Sequence, residues 1–214
     1  VWTIAGNAEP VHLRGHEAAV WCLRFTPDGK FLATGSSDLA IRLWDTTNWN
    51  TARTYRGHRR QIYCMAFSPD GNLLFSGDDL GVVKQWNVRA PRTVADRWTL
   101  KGHTGPINQV TYSPDGTLLA TAAGDWQSNN DVTARLWDAE TGNLVSVLEG
   151  HTASVRHAIF HPGGKVLATS SLDNTVRLWD VPARRALRGL GPFESGVNVS
   201  EFNPRAPEQL LVGL

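Results

Sequence analysis

Cysteine occurs only twice in the 214 residues, at Cys22 and Cys64, so a disulfide framework is excluded as the source of order. No apolar stretch approaches the ~20 residues that a membrane-spanning helix needs. A surplus of charge is missing too, with 21 basic residues against 20 acidic ones. That balance speaks against a nucleic-acid or membrane partner, and the only adjacent arginines are Arg59-Arg60 and Arg184-Arg185. The opening VWTIAGNAEP has neither the basic start nor the apolar core of a secretory signal. It also lacks Met, so the native chain is expected to begin earlier. Motifs that carry chemistry are absent as well: there is no G-x-S-x-G, H-E-x-x-H or C-x-x-C, and no glycine-rich phosphate loop. Metal, cofactor and catalytic centre are therefore all expected to be none.

What is present is a periodicity. Hydrophobic residues make up 41% of the chain, enough for a packed core, and nine tryptophans are many for this length. Five of them, Trp2, Trp44, Trp86, Trp137 and Trp179, are spaced by 42, 42, 51 and 42 residues. A Gly-His pair precedes each of the last four, with histidines His16, His58, His103 and His151. Between them sits a Pro-Asp-Gly turn at Pro27, Pro69 and Pro114, which becomes Pro-Gly-Gly at Pro162. The cysteines obey the same 42-residue period, which places them on equivalent strands as small buried hydrophobes. Within one unit, VWCLRF, FLATGS and AIRLWD read as strands separated by turn chemistry, and a weaker fourth strand follows near 52–55. Each unit is thus a four-stranded antiparallel sheet that buries little alone and must stack on its neighbours.

Gly-His, Pro-Asp-Gly and an Asp six residues before Trp-Asp, recurring in register over essentially the whole chain, resemble the WD-repeat family. The resemblance implies an all-β fold, a β-propeller of four-stranded blades. The units fall at 15–56, 57–101, 102–149 and 150–188, with partial ones at 1–14 and 189–214. The segment is expected to be part of a larger propeller whose exposed edges pair with further blades or self-associate.

In that family the Gly-His histidine, a strand hydroxyl, the turn Asp and the Trp form a hydrogen-bonded tetrad. The resemblance implies His16, Ser36, Asp38 and Trp44 in the first unit and His151, Ser171, Asp173 and Trp179 in the fourth. The third unit carries a loop insertion, DWQSNN, and its Asp is expected to be Asp131 rather than Asp125, beside His103 and Trp137. In the second unit Leu80 stands six before Trp86 and residue 87 is Asn, so the tetrad of His58 and Trp86 is expected to be shifted or incomplete and its blade less rigid. Ser, His and Asp are also the ingredients of a nucleophilic triad, but four near-identical copies argue for scaffolding. His157 and His161 lie four apart on a strand leading into a turn and read as partly exposed polar residues, not as a metal pair.

Function is expected at loops and strand ends. In the family, positions at the start of each first strand point to the common docking face. Here they give Gln61, Trp21, Tyr63, Asn108 and Arg156 as partner-binding candidates, with Trp126 of the inserted loop beside them. Trp49 and Trp98 fall on outer strands or their flanks and are read as blade packing. The reading is a non-catalytic cytoplasmic scaffold for protein or peptide partners. The alternative that the resemblance implies is a regulatory propeller within a multidomain enzyme such as a bacterial protein kinase.

Overall fold

The structure is a computed structural model that describes residues 10–89, 96–125, 127 and 130–214. Trp2, Trp126 and the side chain of Trp98 lie outside the described residues.

The first sheet contains β1 (Val20–Phe25), β2 (Phe31–Ser36), β3 (Ala40–Asp45) and β4 (Thr51–Arg56). The second contains β5 (Ile62–Phe67), β6 (Leu73–Asp78), β7 (Val83–Asn87) and β8 (Asp96–Leu100). The third contains β9 (Ile107–Tyr112), β10 (Leu118–Ala123), β11 (Ala134–Asp138) and β12 (Leu144–Leu148). The fourth contains β13 (Val155–Phe160), β14 (Val166–Ser171), β15 (Val176–Asp180) and β16 (Arg185–Leu190). A two-stranded sheet, β17 (Val199–Asn203) and β18 (Ala206–Gly213), follows. Every sheet is an antiparallel meander, and the first strands β1, β5, β9, β13 and β17 lie side by side.

The first turn of each blade is built by local polar chemistry. Thr26 donates its hydroxyl to Asp28 at 2.7 Å, and the same carboxylate accepts the Lys30 N–H at 3.1 Å. Gly29 sits at φ 69°, a conformation open to glycine at little cost, and its N–H returns to the Thr26 carbonyl. Ser68 with Asp70 and Ser113 with Asp115 repeat the device. In the fourth blade, where Gly163 replaces the Asp, the His161 ring accepts the Gly163 N–H instead, at 2.9 Å.

The core lies between blades rather than inside them. Cys22, Ile41, Leu43 and Tyr55 of the first blade pack on Ile62, Met65, Leu74 and Trp86 of the second. Equivalent clusters join the second blade to the third, the third to the fourth, and the fourth to β17–β18. The approach is close: a Cβ on Gly77 would come within 2.5 Å of Ile107, so only glycine fits there. Both cysteines are buried and free, and burial pushes the Cys22 thiol up to about 12. Strand β1 differs from its counterparts. Leu23 and Phe25 are 53% and 50% exposed, whereas Met65, in the position of Leu23, is fully buried. Among the described residues no blade covers that side of β1.

Candidate docking site at the strand ends

Each blade is pinned by a buried polar chain. In the first, His16 Nδ1 donates to Asp38 at 2.8 Å, and His16 Nε2 lies 2.7 Å from the Thr34 hydroxyl, which accepts the Trp44 indole N–H at 2.9 Å. The third uses Asp131, His103, Thr121 and Trp137, and the fourth Asp173, His151, Thr169 and Trp179. The chemistry fixes the tautomer. The acceptor-only carboxylate takes the hydrogen on Nδ1, so Nε2 of the neutral ring is the acceptor and receives the hydroxyl's own hydrogen, while the hydroxyl oxygen accepts from the indole, which only donates.

Two expectations are corrected. Ser36 and Ser171 do not belong to the tetrads; Thr34 and Thr169, two residues earlier on the same strands, do. Ser36 Oγ instead donates to the Ala18 carbonyl at 3.2 Å and accepts the Asp38 N–H at 3.1 Å, and Ser171 makes the matching pair with Ala153 and Asp173. Alternation along a strand is the reason: residues two apart share a face, so either serine could have met the His, and distance along the strand decides. The repeat held the signal. Thr34, Ser76, Thr121 and Thr169 occupy one column, all hydroxylic, whereas the column of Ser36 and Ser171 holds Asp78 and Ala123.

The second tetrad, expected to be shifted or incomplete, is displaced in sequence but complete in space. Asp78 accepts from His58 at 2.8 Å, and Ser76 joins His58 to Trp86 at 2.6 and 2.7 Å. Its carboxylate comes from the end of β6 rather than from the turn. None of these hydroxyls is placed as a nucleophile. Ser76, Thr121 and Thr169 are fully buried and capped by an indole.

Burial pushes the His103 and His151 imidazoles below their ordinary value, outweighing the upward pull of Asp131 and Asp173. For the two carboxylates burial works upward, but hydrogen bonds from His103, Thr133, His151 and Thr175 outweigh it and hold both below the usual range. Both shifts have the same linkage sign. A depressed His favours the neutral folded form, and a depressed Asp the ionised one. Each contribution is complete above the unfolded value and lost as pH falls. The urea midpoint is therefore expected to be flat above about pH 7, to decline below about 6.5 as His103 and His151 protonate, and to fall again below about 4. A midpoint constant from pH 7 to 5 would contradict the histidine part.

The candidate docking residues share one backbone device. Four first strands carry a one-residue register slip near their start, leaving unpaired Trp21 in β1, Tyr63 in β5, Asn108 in β9 and Arg156 in β13. A bulge re-aims the extra side chain out of the ladder. Here all four turn to one cavity of about 540 Å³, which Asp79, Pro106, Gly124, Asp125 and Gln127 also line. Asp79, Asp125 and Gln127 were not singled out from sequence. Asp79 occupies the column of Ser37, where each blade carries a different residue, and Asp125 and Gln127 belong to the insertion.

The cavity walls are held by specific bonds. Trp21, 55% exposed, donates its indole N–H to Ser37 at 2.6 Å, and Ser37 donates on to Gln61 of the next blade at 3.0 Å. Gln61 thus holds the Trp21 rim. Trp21 and Tyr63 meet edge to face, with centroids 5.7 Å apart and planes at 87°. Asn108 spends its amide nitrogen on Gly124 O, Ser154 Oγ and Val155 O, at 2.9, 3.2 and 2.9 Å, and accepts Arg156 at 3.1 Å. It clamps the third blade to the fourth and aims the guanidinium. Burial raises the Tyr63 phenol, and the carboxylates of Asp79 and Asp125 raise it further, so it remains a donor. His157 is half-buried and its ring faces the Ser200 N–H at 3.4 Å, while His161 stacks edge-on against Phe202. Among the described residues no group of three His, Cys, Asp or Glu could hold a metal ion.

Blades of this architecture, stacked through their first strands and each pinned by a buried Asp–His–hydroxyl–Trp chain, define an all-β repeat protein of the propeller type. The sequence profile described as "WD domain, G-beta repeat" matches residues 9–45, 49–87, 96–138 and 142–180. The chain belongs to the WD-repeat family, whose members generally act as non-catalytic scaffolds for protein interactions. It is 25% identical to protein tipD of Dictyostelium discoideum over 198 residues, covering 92% of this chain and 31% of tipD. It is 27% identical to nuclear distribution protein nudF of Aspergillus niger over 201 residues, 93% of this chain and 44% of nudF. A short stretch of 33 residues is 58% identical to the Notchless protein homolog of Arabidopsis thaliana, covering 15% of this chain and 7% of that protein. The chain thus spans less than half the length of these relatives.

Proposed function

We propose that this chain is a non-catalytic docking module that binds protein or peptide partners over the cavity framed by the four bulges. The observation that carries this reading is the use of one backbone irregularity, repeated in four blades, to present four different side chains to one concave site. The tetrads repeat and hold the scaffold. The bulge residues vary between an indole, a phenol, an amide and a guanidinium, and Trp, Tyr and Arg are the types that dominate interface energetics. The walls are also pre-organised by their own hydrogen bonds, which lowers the entropy lost on binding.

The variant Trp21→Ala/Tyr63→Ala/Arg156→Ala tests it. All three positions are unpaired in the ladder, so the circular dichroism spectrum and unfolding midpoint are expected to change little. Affinity for partners captured from the native cell is expected to fall on the order of 100-fold, about 3 kcal/mol, as for loss of interface anchors. A folded variant that retains its full partner set would overturn the assignment of this face.

A further inference from the structure

We propose that the cavity receives a positively charged side chain, lysine or arginine, from a peptide segment of the partner. The inference rests on the docking reading above and names the chemistry the site selects. Four features of the cavity carry it. Trp21 and Tyr63 form a perpendicular aromatic corner, and a cation near such rings gains from their quadrupoles. Asp79 and Asp125 line the same cavity, and both carboxylates act electrostatically on the Tyr63 hydroxyl. Among the described lining residues Arg156 is the one opposing charge, and it donates to the neutral amide of Asn108. The volume, about 540 Å³, exceeds what one long side chain fills and suits a short peptide.

Charge is the discriminating feature. The chain as a whole is close to neutral at +1, yet the described lining of this cavity sets two carboxylates against one guanidinium. The stem of a Lys or Arg side chain is apolar and would lie along the aromatic corner, leaving its charged head to the carboxylates. An anionic segment would meet Asp79 and Asp125 and find only Arg156 in its favour.

The test titrates the folded chain with acetyl-Ala-Xaa-Ala-amide, where Xaa is Arg, Lys, norleucine or Glu, following the Trp21 indole N–H by NMR. The Arg and Lys peptides are expected to bind about tenfold more tightly than the norleucine peptide. Their affinity is expected to fall as salt rises from about 50 to about 500 mM. Asp79→Asn is expected to weaken the Arg and Lys peptides about fivefold while leaving the norleucine peptide unchanged, which separates charge from folding. The order of Arg and Lys assigns the preferred head group. Norleucine binding as tightly as lysine, glutamate binding best, or no indole shift with any peptide would each overturn the proposal. A flat charge series beside lost partners in the triple variant would remove the charge reading and leave docking standing.

Discussion

Thr121→Val is expected to destabilise the protein by about 2–5 kcal/mol, although it changes neither the shape nor the volume of the side chain appreciably. The Thr121 hydroxyl is the hub of the third blade. It lies 2.7 Å from His103 Nε2 and 2.9 Å from the Trp137 indole nitrogen, in a fully buried position. Valine keeps the packing and strands two polar atoms at once. Each buried group left without a partner costs about 1–3 kcal/mol, against a total stability of about 5–15 kcal/mol for a typical domain. Thr121→Ser should keep most of the stability, because Ser76 fills the same place in the second blade. Thr54→Val, on an exposed part of β4, is the control and should stay within about 0.5 kcal/mol. Urea unfolding of the three variants measures the difference. The network account fails if Thr121→Val shifts the midpoint no more than Thr54→Val.

Legibility in the sequence followed the physics of each feature. The blade pattern was readable because strand alternation, Pro-Asp-Gly turns and a fixed period all act locally and repeat. The tryptophan and histidine of each tetrad were readable for the same reason. The hydroxyl was not read correctly in the two blades where it was assigned, because residues two apart on a strand share a face and local pattern does not rank Thr34 against Ser36. Comparing columns across blades would have ranked them. The second tetrad escaped because Asp78 reaches His58 from the strand end, a substitution in space that sequence spacing does not express. Trp21, Tyr63, Asn108 and Arg156 were readable as a set through the family's strand-start positions. The register slips that turn them toward one cavity are a property of pairing and appear only in three dimensions. Asn108 and Gln61 show the limit of residue-type reasoning. Both are polar and near the face, and both direct their amides to neighbouring protein groups.

Gln85→Leu should stabilise the protein by about 2 kcal/mol, and the reason again comes from comparing copies. Gln85 stands on β7 in the column held by Leu43, Leu136 and Leu178 in the other blades. It is fully buried, and among the described residues neither its amide oxygen nor its amide nitrogen has a hydrogen-bond partner. Phe75 pairs with Gln85 across β6 and β7, and Val83 and Leu100 belong to the cluster beneath. Leucine is close in volume and carries no polar atom to desolvate, so the substitution removes a penalty without opening a large cavity. For a chain of this length the gain corresponds to a rise of about 5 °C in Tm. Gln85 does not line the bulge cavity, so partner affinity should not change with it. A thermal scan of Gln85→Leu beside Gln85→Ala separates the two terms: leucine is expected above the parent, and alanine below leucine by about 2–4 kcal/mol because it opens a cavity. A leucine variant no more stable than the parent would show that the amide is satisfied in solution and that the second blade holds a polar group the others have no use for.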